Sequence, residues 1–137
     1  MPIGAPIERV YDAITTPAGL DEWWTLRSSG EPREGAEYTL YFGPEYDWRA
    51  RVTRATASSE FELEFTRADD DWRGTRLGFR LQPRDAGGTW LEFRHTGWPE
   101  ANDHYRISSH CWAMYLRILR RFLEHGERVA YDRRLDV

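Results

Sequence analysis

Apolar and polar residues alternate through the middle of the chain. The apolar residues recur at every second position in five short stretches, at residues 38–42, 48–52, 61–65, 77–81 and 91–95. A period of two is typical of strands that bury one face. Turn-forming segments such as Gly43-Pro44 and Gly87-Gly88 separate the stretches. The pattern therefore predicts five consecutive strands in an antiparallel meander.

Helical spacing marks both ends of the chain. Ile7, Val10, Tyr11 and Ile14 recur at intervals of three and four and predict a short helix over residues 5–14. Residues 18–24 are expected to add one or two helical turns, and residues 25–35, which are rich in Ser, Gly and Pro, are expected to form a loop.

A long C-terminal helix is predicted from residue 103 to about residue 125. Asp103 is the expected cap, and Gly126 is the expected stop. Two adjacent apolar stripes follow the helix: Ile107, Cys111, Met114, Ile118 and Phe122, and then Trp112, Tyr115, Leu116, Leu119 and Leu123. So wide an apolar arc indicates a helix that a sheet embraces. We therefore expect an α+β fold, as a single domain over residues 1–137, in which a curved antiparallel sheet wraps this helix.

The polar positions of the strands carry an ordered set of charges. The third predicted strand presents Glu60, Glu62 and Glu64. Arginines precede it in the second strand (Arg49 and Arg51) and follow it in the fourth (Arg76 and Arg80). Opposite charges on neighbouring strands stabilise their pairing. The charges therefore predict sequential pairing, with this face in water.

Composition narrows the class of protein. Hydrophobic residues make up 40% and charged residues 31% of the chain, as in a globular protein. The net charge of −4 argues against nucleic-acid binding. The apolar runs are too short to cross a bilayer, and the N-terminus lacks an export signal, so a cytoplasmic location is expected. The single cysteine, Cys111, agrees with a reducing compartment.

Several local motifs resemble a known superfamily. Residues 5–17 run Ala-Pro-Ile-Glu-Arg-Val-Tyr-Asp-Ala-Ile-Thr-Thr-Pro, and Leu20 and Trp23-Trp24 follow. Together they resemble the opening of the SRPBCC superfamily, whose fold is the START-like helix grip. Residues 88–98, followed by Trp112 and Leu116, resemble its branch related to the activator of the 90-kDa heat-shock protein's ATPase, which is also similar to polyketide cyclases. Only Met1 to Gly4 precede the Ala-Pro motif, so the first strand of that fold is expected to be short or missing.

The resemblance implies a cavity between the sheet and the long helix that binds an apolar or aromatic molecule. Strand alternation and the helix stripe supply its candidate lining: Tyr38, Leu40, Phe42, Trp48, Phe65, Phe79, Phe93, His95, Trp98, Cys111, Met114, Tyr115 and Ile118. The alternative is that these rings fill the interior completely.

His95 is the candidate for chemistry, since it falls on the apolar side of its strand. It could act as an acid or base in a cyclase-like, aromatase-like or hydrolase-like enzyme, or it could be a buried histidine bonded by its neighbours. His104 and His110 lack the spacing of a metal site, and neither a metal nor a cofactor is expected. The predicted partners are a small hydrophobic molecule and, following the resemblance, a chaperone. Either a monomer or a homodimer is expected.

Overall fold

The computed structural model describes residues 1–136, in which seven antiparallel strands form one curved sheet. The strands are β1 (Pro2–Ile3), β2 (Arg27–Ser29), β3 (Glu37–Tyr41), β4 (Asp47–Thr56), β5 (Glu60–Arg67), β6 (Arg76–Pro83) and β7 (Thr89–Thr96). The helices are α1 (Ile7–Thr15), α2 (Pro17–Trp23) and α3 (Asp103–His125). The spatial order is β1-β7-β6-β5-β4-β3-β2, so the five predicted strands pair in sequence. The predicted α+β helix-grip fold is confirmed.

Two short strands extend the meander at its edges. β1 has two residues, and Pro2 pairs with Trp90 of β7, so the first strand is present as a stub. β2 lies within residues 25–35, and the prediction of a continuous loop there is wrong. Arg27 pairs with Tyr41, and its guanidinium carbon lies 4.6 Å from the centre of the Tyr41 ring. Strand pairing and this contact stabilise a segment whose own residues favour turns.

The charge ladder on the outer face is present with one correction. Glu64 lies between Arg51, at 3.8 Å, and Arg76, at 3.1 Å, and Glu60 lies 3.3 Å from Arg80. Arg49 was expected beside the glutamates but pairs with Asp47 and Glu37. A register shift between Arg49 and Ala50 sets Arg49 opposite Arg67, which explains the difference.

Gly78 makes room for a further ion pair on the same face. It stands opposite Glu62, and a Cβ at Gly78 would lie 3.0 Å from Arg94 Nε. Because that space is free, the Arg94 side chain extends across β6 and reaches Glu60 at 3.5 Å and Glu62 at 3.8 Å. Ion pairs on the outer face thus connect β7 to β5 across β6.

The helices are positioned by local caps and by the sheet. The Thr16 side chain accepts a hydrogen bond from the Gly19 amide and caps α2. Gly19 is required there because a Cβ would lie 2.5 Å from the carbonyl oxygen of Asp12. The cap of α3 is Asn102 and not Asp103, since its side chain accepts from the Tyr105 amide. Gly126 ends α3 with φ of +67°, as expected.

Candidate functional site

Five aromatic residues form a closed circuit of ring contacts between the sheet and α3. The circuit runs through Trp24, Phe42, Trp48, Trp72 and Trp112 and returns to Trp24, with ring centres 4.8–5.9 Å apart. The rings come from the end of α2, the end of β3, the start of β4, the β5–β6 loop and α3. Neighbouring ring planes are inclined by 30–63°, so the rings do not form one stack.

All five rings line a cleft of about 300 Å³, which we call the aromatic cleft. The residues that complete its wall are Tyr46, Asp69, His104, Ile107, Ser108, Cys111, Tyr115 and Tyr131. Tyr46 and Ile107 are exposed, which places them at its mouth. The aromatic cleft therefore has apolar walls, a few polar groups and access from solvent, the usual features of a small-molecule site.

Trp72 is central to the aromatic cleft, and sequence reasoning missed it. It stands in the β5–β6 loop, directly after three aspartates that resemble an exposed acidic turn. The backbone amide of Trp72 donates to the Asp69 carbonyl, and its indole N–H donates to the buried hydroxyl of Ser108 on α3 at 3.3 Å. These bonds turn the ring inward. The sequence signal that could have identified Trp72 is a large apolar residue in an otherwise polar turn.

A second cleft of about 330 Å³ lies on the other side of Trp112, between α3 and β7. Its wall consists of Phe93, Arg94, His95, Trp98, Tyr105, Ser109, Trp112, Ala113 and Leu116. Trp112 lines both clefts and separates them. The interior between sheet and helix is thus filled in its middle by rings and open on either side of Trp112.

His95 is held by a chain of hydrogen bonds. Trp112 Nε1–H donates to His95 Nδ1 at 3.1 Å, so Nδ1 carries no proton. His95 Nε2–H therefore donates to Thr75 Oγ1 at 2.8 Å, and that hydroxyl donates to the Trp72 carbonyl. Burial lowers the pKa of His95 to about 4. With both ring nitrogens occupied, His95 has the geometry of a bonded core histidine and offers no free nitrogen to a reactant.

The predicted lining residues divide into three groups, and Met114 belongs to none of them. Phe42, Trp48, Cys111 and Tyr115 line the aromatic cleft, and Phe93, His95 and Trp98 line the second cleft. Tyr38, Leu40, Phe65, Phe79 and Ile118 lie in the packed core instead, each at most 1% exposed. Met114 is half-buried on α3 and lines neither cleft.

The core group departs from the expectation because the packed helices cover the inner face of the sheet. The Tyr38 hydroxyl, for example, donates to the Thr15 carbonyl at the end of α1 at 2.6 Å. Burial raises the pKa of this hydroxyl. Strand alternation identified the inward residues but not which of them α1, α2 and α3 cover.

The segment after α3 supplies one wall of the aromatic cleft. Its Tyr131 hydroxyl donates to the Phe42 carbonyl at 2.9 Å. Arg134 is buried, and its three guanidinium nitrogens donate to the carbonyls of Asp21, Thr25 and Val129. These bonds fasten the segment to the end of α2. Sequence reasoning missed Tyr131 because it lies beyond the last predicted element.

The remaining candidates have little reactivity. Burial raises the pKa of the Cys111 thiol, so it lacks the activation of a nucleophile. Within residues 1–136, no three His, Cys, Asp or Glu side chains are grouped as a metal would require. No helix in the described part of the chain is long and apolar enough to cross a membrane.

Comparison with solved structures agrees with the helix-grip fold. The Aha1 dimer of Colwellia psychrerythraea is 28% identical, with a TM-score of 0.83 over 93% of this chain and 94% of that one. CalU16 of Micromonospora echinospora is 19% identical, with a TM-score of 0.74 over 99% and 78%. DynU16, from the dynemicin biosynthetic locus, is 20% identical, with a TM-score of 0.73 over 93% and 46%.

Sequence comparison identifies the family. Among curated proteins no sequence matches the chain significantly. Residues 4–124 match the family described as Activator of Hsp90 ATPase homolog 1-like protein. This region holds both clefts except for Tyr131 of the aromatic cleft. The chain therefore belongs to the family of activator of Hsp90 ATPase homolog 1-like proteins.

Proposed function

We propose that this protein binds a small apolar or aromatic molecule in the aromatic cleft. The observation that carries the proposal is that five rings in mutual contact all line one cleft of about 300 Å³. Aromatic faces give a ligand a large apolar contact area. The volume lies at the lower end of the usual range for ligand pockets, which favours a small molecule over a long lipid.

A panel of three probes tests this function: a fatty acid, a sterol and a flavonoid. Binding is measured by calorimetry and by the rate at which a thiol reagent modifies Cys111. Because Cys111 lines the aromatic cleft, a bound probe slows its modification. The proposal is contradicted if none of these probes and no charged aromatic compound of similar size binds, or if a probe binds and leaves this rate unchanged.

Two substitutions on α3 distinguish the clefts. Cys111→Phe fills the aromatic cleft, and we expect it to weaken binding at least tenfold, about 1.4 kcal/mol. Ala113→Phe is the matched control, since Ala113 lines only the second cleft. The opposite ranking of the two variants would move the ligand to the second cleft and refute the assignment.

A second candidate function is contact with another protein along β7. Both backbone groups of Leu91 bond to Met1, so this edge of β7 is paired there. Backbone groups two residues apart face the same side of a strand. Those of Phe93 and His95 therefore face the same edge, and within residues 1–136 no strand pairs with them on that side. An open edge is a template for strand addition.

We propose a second copy of the chain as the occupant of this edge, because the similar Aha1 structure is a dimer. Amide hydrogen exchange tests the contact. If the copies pair along β7, the Phe93 and His95 amides exchange slowly at high protein concentration and quickly on dilution, while Leu91 is slow at both. Fast exchange of Phe93 and His95 at all concentrations would exclude the pairing. Protection that requires an added Hsp90-type chaperone would assign the edge to that partner instead.

A further inference from the structure

We infer that the ligand of the aromatic cleft is a cation: a substituted ammonium group joined to an apolar or aromatic body. The inference rests on the proposed function and names the class of ligand. Three observations carry it: the sign of the charge in the wall, the lack of a partner for that charge among residues 1–136, and the number of aromatic rings in the same wall.

The wall of the aromatic cleft holds negative charge and lacks an arginine. The chain contains 19 basic residues, yet none of them is among the residues that line this cleft. Asp69 is the acidic residue among those that line this cleft. His104 also lines the cleft, but its Nδ1 lies 3.1 Å from Asp71 Oδ2, so a proton on this ring is offset by that carboxylate.

Asp69 differs from its neighbours in having no partner for its side chain. Asp70 lies 3.3 Å from Arg73, and Asp71 accepts hydrogen bonds from His104 and Asn102. Within residues 1–136, no cation lies within 4.0 Å of the Asp69 carboxylate, and no group donates a hydrogen bond to it. The Asp69 carbonyl, by contrast, accepts from the amides of Trp72 and Arg73 and fixes the residue at the cleft. A half-buried carboxylate in this position is available to a ligand.

The aromatic rings that line the same cleft favour the same sign of charge. The face of an indole or phenyl ring is the negative end of its quadrupole and attracts cations. Four of the five rings in the circuit are indoles, which attract cations best. A methylated ammonium is also less strongly hydrated than a free ammonium, so it loses less on entering an apolar site. The combination of rings and one carboxylate therefore selects a substituted ammonium.

Arg134 is a buried cation close to the Tyr131 wall of the aromatic cleft, and its guanidinium is bonded to backbone carbonyls outside the cleft. It lies behind Tyr131, with its guanidinium carbon 5.4 Å from the centre of that ring. Its three nitrogens donate to carbonyl oxygens of α2 and the following loop and of Val129. Arg134 is not among the residues that line the cleft, so an anionic ligand finds no basic contact there. A fatty acid should accordingly be the weakest of the three probes.

The test compares two ligands of the same shape. Benzyltrimethylammonium and neopentylbenzene differ in that a quaternary nitrogen in the first is a carbon in the second. Binding of both is followed by tryptophan fluorescence and by the modification rate of Cys111. We expect the cation to bind at least tenfold more tightly, and we expect high salt to reduce its advantage.

Asp69→Asn and Asp70→Asn form the matched pair of variants. Asp69→Asn should reduce the preference for the cation about fivefold or more and leave the neutral ligand unchanged. Asp70→Asn removes an exposed carboxylate outside the cleft and should leave both affinities unchanged. Asp69→Asn with the wild-type preference would overturn the inference.

The other outcomes separate this inference from the proposed function. Equal or tighter binding of neopentylbenzene overturns the cation inference and leaves apolar binding in the cleft intact. The same holds if neither ligand binds but the sterol or flavonoid does. If no probe binds at all, both proposals fail. Binding of the cation that Cys111→Phe does not weaken places it outside the cleft and also overturns the inference.

Discussion

Trp112 illustrates how one residue can organise a site through both its ring and its polar atom. Its ring separates the two clefts and contacts Trp24, Trp72 and Phe93. Its indole N–H donates a hydrogen bond to His95 Nδ1, and His95 Nε2–H donates to the Thr75 hydroxyl. A buried imidazole without partners would be destabilising, whereas this one is fully bonded in its neutral form. The bonds that stabilise His95 occupy both of its ring nitrogens.

The bonded, neutral state of His95 makes stability depend on pH. A histidine in the unfolded chain has a pKa near 6.5, whereas burial lowers the pKa of folded His95 to about 4. Between these values the unfolded chain binds a proton that the folded chain does not. The contribution of His95 is therefore complete above about pH 6.5 and is lost as the pH falls to about 4. We expect a loss of about 2–3 kcal/mol in the free energy of unfolding over this window.

The variant His95→Gln separates the contribution of His95 to the pH dependence of stability from that of carboxylates, which titrate in a similar pH range. Between pH 6.5 and pH 4 its free energy of unfolding should fall less steeply than that of the wild type. Urea denaturation at each pH measures this free energy. His125→Gln is the control, since His125 is exposed at the end of α3. Equal slopes for the wild type and His95→Gln would refute the assignment.

At the scale of elements, α3 divides into two functional halves. In its C-terminal half Ile118, Leu119 and Leu123 are buried in the core. In its N-terminal half, residues on one side of Trp112 line the aromatic cleft (His104, Ile107, Ser108, Cys111 and Tyr115), and others line the second cleft (Tyr105, Ser109 and Ala113). The helix thus anchors one end of the sheet and leaves space at the other. The space lies where the tryptophans of α2, β4 and the β5–β6 loop converge.

The C-terminal segment is a second element that shapes the aromatic cleft, and Arg134 holds it in place. Arg134→Gln should destabilise the protein by about 1–3 kcal/mol, because it removes charge-assisted hydrogen bonds to three carbonyls. We also expect Cys111 to react faster with thiol reagents, since the wall containing Tyr131 would be released. The measurements are urea denaturation and the rate of thiol modification.

Arg133→Gln is the matched control for this prediction. Arg133 is the adjacent residue, is exposed, and has Asp136 as its ion-pair partner at 3.9 Å. Exposed pairs of this kind contribute about 0–1 kcal/mol. If the two variants behave alike, the Arg134 bonds do not fasten the segment.

At the scale of the whole molecule, the sheet separates charged side chains on its outer face from aromatic side chains on its inner face. Its outer face carries the glutamates of β5 between the arginines of β4 and β6, with Arg94 of β7 reaching across. Its inner face carries the aromatic core. This division was predictable because strand alternation assigns each side chain to one face of the sheet. The complementary charges also favour pairing between strands that are consecutive in the sequence.

The candidate site was predictable only in part. Phe42, Trp48, Cys111 and Tyr115 were expected at a cavity and line the aromatic cleft, whereas Tyr38, Leu40, Phe65, Phe79 and Ile118 are covered by packed helices. Trp72 and Tyr131 were not expected because they lie in a loop and in the C-terminal segment, where no periodic pattern exists. Their inward orientation depends on hydrogen bonds to Ser108 and to the Phe42 carbonyl, which are distant in the chain.

Local pattern was enough to establish the order of the strands, the extent of α3, the charged outer face and the helix-grip architecture, since each depends on residues a few positions apart or on adjacent strands. Tertiary structure alone decided that the rings close into a circuit, that both ring nitrogens of His95 are bonded, and that Asp69 lies in the wall of the cleft with no ion-pair partner among residues 1–136. These features arise from contacts between residues far apart in the sequence. Their geometry follows from how the helices and loops settle on the sheet.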